Sequence, residues 1–185
     1  MAEKTSQKTN TTNKSQIERK RKTNLSEYGI QMREKQKIKK DYGVSEKQFV
    51  SYVKYAQKST INTKIPPALG IYRGLETRLD NVIFRMGLTK TRRAARQMVS
   101  HGHILVNGKK INIPSHKIKI NDIISIREGS KNTKLFIEIP LKERDFSTSD
   151  WIDLNISKLE AKILALPKEI EAGFDFAKVL EFYSR

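Results

Sequence analysis

The spacing of apolar residues changes several times along the chain, and each change marks a boundary. From Met1 to Asn24 there is no apolar period at all, only a polar run rich in Lys, Thr, Asn and Gln. Such a run cannot bury enough surface to offset the entropy of ordering, so residues 1–24 are expected to form a disordered basic arm. Order is expected from Leu25. Ser26 suits an N-cap, although Gly29 stands where a capping box would need Glu or Gln. Tyr28, Met32 and Ile38 lie sparsely among Arg33, Lys35, Lys37, Lys39 and Lys40, which predicts a helix over 28–40 with a wide basic face. Tyr42-Gly43 ends it, and Ser45 caps a second helix carrying Phe49, Val50, Tyr52 and Val53.

Lys58 to Gly70, with Pro66-Pro67, reads as a linker. Leu75, Leu79, Val82, Ile83 and Met86 then recur at helical spacing, with Gly87 as a C-cap. Thr89 is expected to cap a further helix from Lys90 to Ser100, closed by Gly102, so the two helices form a tight pair. At Ile104 the period shortens. Ile104-Leu105-Val106, Asn107-Gly108 and Lys109-Lys110-Ile111 predict a hairpin. The run 117–120 alternates, Asn121-Asp122 turns, and Ile123 to Ile126 continues as a strand. A further strand-like run, Leu135 to Ile139, stops at Pro140.

Charge adds direction to this outline. Among 185 residues, 37 Lys and Arg stand against 20 Asp and Glu, for a formal net charge of +17. Self-repulsion on that scale makes a polyanionic partner the economical reading. The excess is concentrated: no acidic residue lies between Asp80 and Asp122, a stretch that holds all three histidines. From Glu143 onward acids outnumber bases, so the tail reads as structural. On the helix after Thr89, Arg92, Arg93, Arg96, Gln97 and Ser100 fall within an arc of roughly 140° at about 100° per residue. Ala94, Ala95, Met98 and Val99 take the other side. Arginines in a first turn oppose the helix dipole unless an anion is near, which favours a phosphate-binding face over a merely solvated one. Asn107-Gly108-Lys109-Lys110 extends it with a turn suited to an RNA backbone. Asp80 is expected to pair with Arg78 or Arg85.

Other chemistry is excluded or weak. The absence of cysteine removes disulfides and thiolate zinc sites. His101 and His103 lack a third ligand at suitable spacing, so contacts to RNA or to the helix C-terminus suit them better than a metal. No Gly-rich phosphate loop, HExxH motif or nucleophilic constellation is present. No run reaches the length of a membrane span, and the N-terminus has no apolar signal core. A non-enzymatic, cytosolic RNA binder without cofactor is expected.

Arg78-Leu79-Asp80-Asn81-Val82, Phe84-Arg85-Met86-Gly87, Thr91-Arg92 and 95–101, followed by Val106-Asn107-Gly108 and 121–128, resemble the S-four RNA-binding domain. Leu25 to Gly29, Arg33 to Lys37 and Tyr42-Gly43-Val44 look like the N-terminal helical region of the S-four family of small-subunit ribosomal proteins. Leu180 to Arg185 is similar to that family's ending, and Trp151 lies in a matching stretch. The resemblance implies an α+β fold, a mainly helical domain interrupted by an S-four-type domain of two helices and a small antiparallel sheet. The expected divisions are 1–24, 25–74, 75–140 and 141–185, the last packing back on the helical region.

It also implies a structural constituent that binds small-subunit rRNA, nucleates assembly of the 5′ domain, lines the path by which mRNA enters and influences accuracy. Neighbouring small-subunit proteins, notably S-five and also S-three, are expected partners. The expected RNA-binding residues are Arg33, Lys35, Lys37, Lys39 and Lys40, together with Arg85, Lys90, Thr91, Arg92, Arg93, Arg96 and Gln97. His101, His103, Asn107, Lys109 and Lys110 complete them, with Arg19 and Arg21 toward mRNA. Members of the family with zinc-binding cysteines differ here, so no metal is expected. The ribosome could be cytoplasmic or organellar. The rival readings are an RNA-modifying enzyme and a free-standing stress factor. The first lacks room for a catalytic domain, and the flanking motifs oppose the second.

Overall fold

The structure, a computed structural model, describes residues 25–133, 136, 149–171 and 173–184. The expected arm, with Arg19 and Arg21, lies outside the described residues. Helix α1 spans Glu27–Tyr42, and the Ser26 hydroxyl accepts from the Gly29 N–H at 3.2 Å. Gly43 closes it in the left-handed region at φ 60°, where a residue without Cβ sits without strain. Helix α2, Glu46–Thr63, begins with a complete capping box between Ser45 and Gln48.

The linker expected over 58–70 is much shorter. Helix α2 runs on to Thr63, and α3, Pro67–Glu76, starts at a proline whose fixed φ and missing N–H suit the first helical position. The apolar period through Leu75 and Met86 is also broken at Thr77-Arg78, where sequence reading expected one helix. The next helix, α4, spans Leu79–Arg85. Its orphan donors find distant partners: the N–H groups of Leu79 and Asp80 donate to the carbonyls of His116 at 2.9 Å and Pro114 at 3.1 Å. Helix α5, Arg92–Ser100, starts later than expected. Thr91, not Thr89, caps it by accepting from the Ala94 N–H at 3.2 Å.

Five antiparallel strands form one sheet. They are β1 (Ile104–Val106), β2 (Lys109–Lys110), β3 (Ile123–Ile126), β4 (Ile152–Asn155) and β5 (Glu160–Ile163), in the order β2-β1-β3-β5-β4. Asn107 and Gly108 have φ of 49° and 75°, the two positive angles a type I′ turn requires. The run 117–120 is not a strand, and Lys117 forms a lone bridge to Arg78 instead. The run 135–139 lies outside the described residues except for Phe136, which is buried and helical. A short α6, Glu128–Lys131, follows β3.

The segment 141–185, expected to pack back on the helical region, serves both bodies. Its strands β4 and β5 extend the sheet beyond β3, whereas α7, Phe176–Tyr183, and the stretch before it return to α1 and α3, with Arg73 donating to the Pro167 carbonyl at 2.8 Å. Two apolar cores result. Ile38, Tyr42, Phe49, Val53, Leu75 and Phe176 belong to the helical one. Leu79, Val82, Val99, Ile124, Trp151 and Ile163 belong to that of the sheet and the α4–α5 pair. Membership changes between Leu75 and Leu79, so the two bodies abut without a spacer and polar side chains fill their junction. The fold is α+β.

Candidate nucleic-acid interface

The junction places the first turn of α5 opposite the last turn of α1. Between them lies a cleft of about 800 Å³ whose lining includes Lys37, Lys40, Lys90, Thr91, Arg92, Arg93 and Arg96. Asp41 is the single carboxylate among its lining residues, and Tyr42, Phe84 and Phe174 supply aromatic walls. Six cations around one acid make a strongly positive hollow with flat apolar surfaces, a combination suited to phosphates and bases.

The three arginines of α5 do not form the open face that helical phasing suggested. The Arg92 guanidinium lies 4.5 Å from the ring centroids of both Tyr42 and Phe84. Its Nε donates to Asn81 Oδ1 and its Nη1 to Asp41 Oδ2, each at 2.7 Å. Arg96 donates to Asp80 Oδ2 from Nε at 2.9 Å and from Nη2 at 2.7 Å. It also reaches the carbonyls of Gly43 at 2.5 Å and Tyr42 at 3.2 Å. Protein carboxylates therefore supply the anions that a first-turn arginine needs. Arg93 alone of the three is exposed with no side-chain partner among the described residues.

Beneath the cleft sits a buried polar cluster. Glu76, fully buried, accepts from Arg85 at 2.8 and 2.9 Å, from Asn81 at 2.9 Å and from the Tyr42 hydroxyl at 2.5 Å. Burial, reinforced by the Glu76 charge, pushes the Tyr42 hydroxyl far above its ordinary pKa, so it stays a donor. Arg85 also grips Glu171 at 2.6 and 2.7 Å. Burial opposes its charge, but Glu76 and Glu171 outweigh that and raise its pKa. Asp80 pairs with Arg78, as expected, at 2.8 Å, whereas Arg85 turns to other acids. Glu76, Asp41 and Glu171 had no place in the sequence reading. Only the alternation Glu76, Arg78, Asp80 hinted at paired charges.

The basic face of α1 is also partly internal. Lys35 is buried, donates to Glu46 at 3.0 Å and lies 4.3 Å from the Phe182 ring centroid. Lys39 holds the other Glu46 oxygen at 2.5 Å, and Lys37 bonds the Gly173 carbonyl. Burial tends to raise the Glu46 carboxyl, yet hydrogen bonds from Lys39, Tyr183 and Lys35 overcome it and hold the pKa at about 2. Arg33 and Lys40 remain exposed.

From Arg93 a polar stripe continues along α5 through exposed Gln97 and His101. It meets β2 at Gly102, where the Lys110 side chain packs. Lys109 is exposed in the same hairpin, whereas the Asn107 side chain is occupied by Asp122 at 2.8 Å and the Ile123 N–H at 2.9 Å. His103 Nδ1 lies 2.9 Å from Ser130 Oγ. Burial, followed by the charges of His101, Arg127 and Lys110, lowers its pKa and favours neutral imidazole. Among the described residues no group of three or more metal-ligating side chains gathers, and no helix is long and apolar enough to cross a membrane.

Two family models match the chain. The S4 domain covers residues 77–124, and the "Ribosomal protein S4/S9 N-terminal domain" covers 1–65. Curated relatives extend the likeness across nearly everything. The small ribosomal subunit protein uS4 of Persephonella marina is 45% identical over 168 residues, covering 89% of this chain and 80% of the relative. Those of Halothermothrix orenii and Thermotoga maritima are 42% and 40% identical, with 89% of this chain and 78% of the relative covered in each case. The chain belongs to the uS4 family. Proteins of the uS4 family are structural, non-enzymatic, RNA-binding components of the small ribosomal subunit. The S4-domain match takes in the α4–α5 pair, β1, β2 and the start of β3, so the uS4 cleft draws on both matched regions.

Proposed function

We propose that this chain is a structural constituent of the small ribosomal subunit that binds small-subunit rRNA through the α1–α5 cleft. The carrying observation is six Lys and Arg side chains around one carboxylate, in a cleft lined from both α1 and α5. Lys40, Lys90 and Arg93, free of protein partners among the described residues, make the phosphate contacts, and Arg33 adds to them. Gln97, His101, Lys109 and Lys110 carry the same backbone along α5 and the hairpin. Lys37, Thr91, Arg92 and Arg96 shape the cleft wall, while Lys35, Lys39, Arg85 and Asn107 act through the fold rather than at its surface. His103 orients the hairpin end.

Resemblance, rather than geometry, supports the finer roles. These are nucleation of 5′-domain assembly, contact with S-five and S-three, an approach of Arg19 and Arg21 to mRNA where it enters, an influence on accuracy and a cytoplasmic ribosome. Fractionating the cell's ribosomes tests the main role. The expected result is one copy per mature small subunit, stable to washing at moderate salt. Recovery only in ribosome-free fractions would overturn it.

A further inference from the structure

On a different part of the surface, α2 faces the loop that precedes β3 across a groove of about 430 Å³. Tyr55 of α2 is 61% exposed, more than Tyr28 at 51%, and the Lys117 ammonium lies 5.1 Å from its ring centroid. Gln48, Ser51 and Ser115 add neutral hydrogen-bonding groups, and among the described residues no carboxylate lines the groove. Its walls are held firmly. The Ile118 N–H donates to the Thr77 carbonyl at 2.9 Å, alongside the bonds from Leu79 and Asp80 to the same loop. The floor is Tyr52, whose hydroxyl accepts from Arg78 at 3.0 Å and whose ring lies so near Gly74 that a Cβ there would stand 3.0 Å from it.

We propose that this groove is a second RNA site, taking one unpaired nucleotide by stacking its base on Tyr55 and neutralising its phosphate with Lys117. An exposed aromatic ring beside a cation, with amide and hydroxyl groups but no acid, matches the needs of a single-stranded nucleotide. A solvent-facing tyrosine gains little for the fold, because most of its ring is still hydrated. The volume accommodates a base and its ribose but not a duplex. Selection therefore falls on a bulged or looped residue, in contrast to the backbone contacts of the α1–α5 cleft. The site goes beyond the cleft reading and stands independently of it.

The test uses the full chain and a single-stranded hexamer of uridine carrying 4-thiouridine, photo-cross-linked and mapped by peptide mass spectrometry. Adducts are expected on the peptides carrying Tyr55 or Ser115 to Lys117. Tyr55→Ala should lower their yield and the hexamer affinity roughly ten-fold, and Tyr55→Phe should retain both. Lys117→Gln should flatten the salt dependence by about one log–log unit. Lys90→Gln with Arg93→Gln should leave these adducts unchanged. Adducts confined to the α1–α5 cleft, adducts insensitive to Tyr55→Ala, or none at all would overturn the groove while leaving the cleft reading intact. Displacement of the hexamer by an oligoglutamate as readily as by unlabelled RNA would assign the groove to acidic protein segments instead.

Discussion

Asp80 and Arg96 meet through one oxygen: Asp80 Oδ2 accepts from Arg96 Nε at 2.9 Å and from Nη2 at 2.7 Å. The same carboxylate receives Arg78 from the other side, and the side chains of both Asp80 and Arg78 are 3% exposed. Arg96 in turn reaches the carbonyls that end α1. One acid thus ties α4, α5 and the close of α1 together.

Asp80→Asn should therefore be among the most damaging single substitutions. It removes the charge opposite a buried guanidinium, a loss on the order of 3–5 kcal/mol for a buried pair broken on one side. Chemical denaturation should show the midpoint falling accordingly. A change within about 0.5 kcal/mol, the usual range for surface sites, would show that the cluster contributes nothing to stability.

RNA affinity should separate from stability at the cleft. Replacing Lys40, Lys90 and Arg93 together with Gln should leave the unfolding free energy within about 0.5 kcal/mol. The slope of log affinity against log salt for small-subunit rRNA should flatten by roughly two to three. An unaltered slope would remove the cleft from the interface.

The pH dependence at Glu46 has a definite sign. Its folded pKa of about 2 lies below the ordinary value of 4.5. The stabilisation is present above pH 4.5 and disappears as pH falls from there through 2. Wild type should melt higher than Glu46→Gln at pH 6, and the gap should close over that window. A gap independent of pH would contradict the assignment.

Gly102 and Gly108 make a matched pair, at φ 72° and 75°. A Cβ at 102 would stand 2.2 Å from Lys110 Cε and 2.8 Å from Asn112 Oδ1, whereas nothing lies within 4 Å of one at 108. Both Ala variants should lose about 1–2 kcal/mol to the left-handed backbone. Gly102→Ala should lose more and displace Lys110, weakening RNA binding, which Gly108→Ala should leave alone. Equal melting temperatures would dismiss the steric part.

Much of this was readable in the residues. The switch from helical to alternating spacing at Ile104, the Asn107-Gly108 turn and the Ser45 cap are local, and local chemistry decided them. The break at Thr77-Arg78 was not, because the groups that satisfy α4's first donors lie near residue 115. Helical phasing placed Arg92, Arg93 and Arg96 on one side of α5 but could not reveal that Asp41, Asp80 and two aromatic rings stand opposite. Likewise β4 and β5 are short runs whose pairing with β3 depends on contacts across the fold. Charge clustering thus pointed to the cleft region, and tertiary pairing decides which of its cations remain unpartnered among the described residues.

Helix α7 lies against α1, with Gln31 donating to Glu181 at 3.0 Å across 150 residues of sequence. During synthesis α1 leaves the exit tunnel long before its cover exists. The helical core stays open while the S4 domain and its added strands are being made, and only then does α7 close it. An rRNA able to engage the S4 domain first would meet a molecule whose other half is still pliable. Binding and final closure would then proceed as one coupled event.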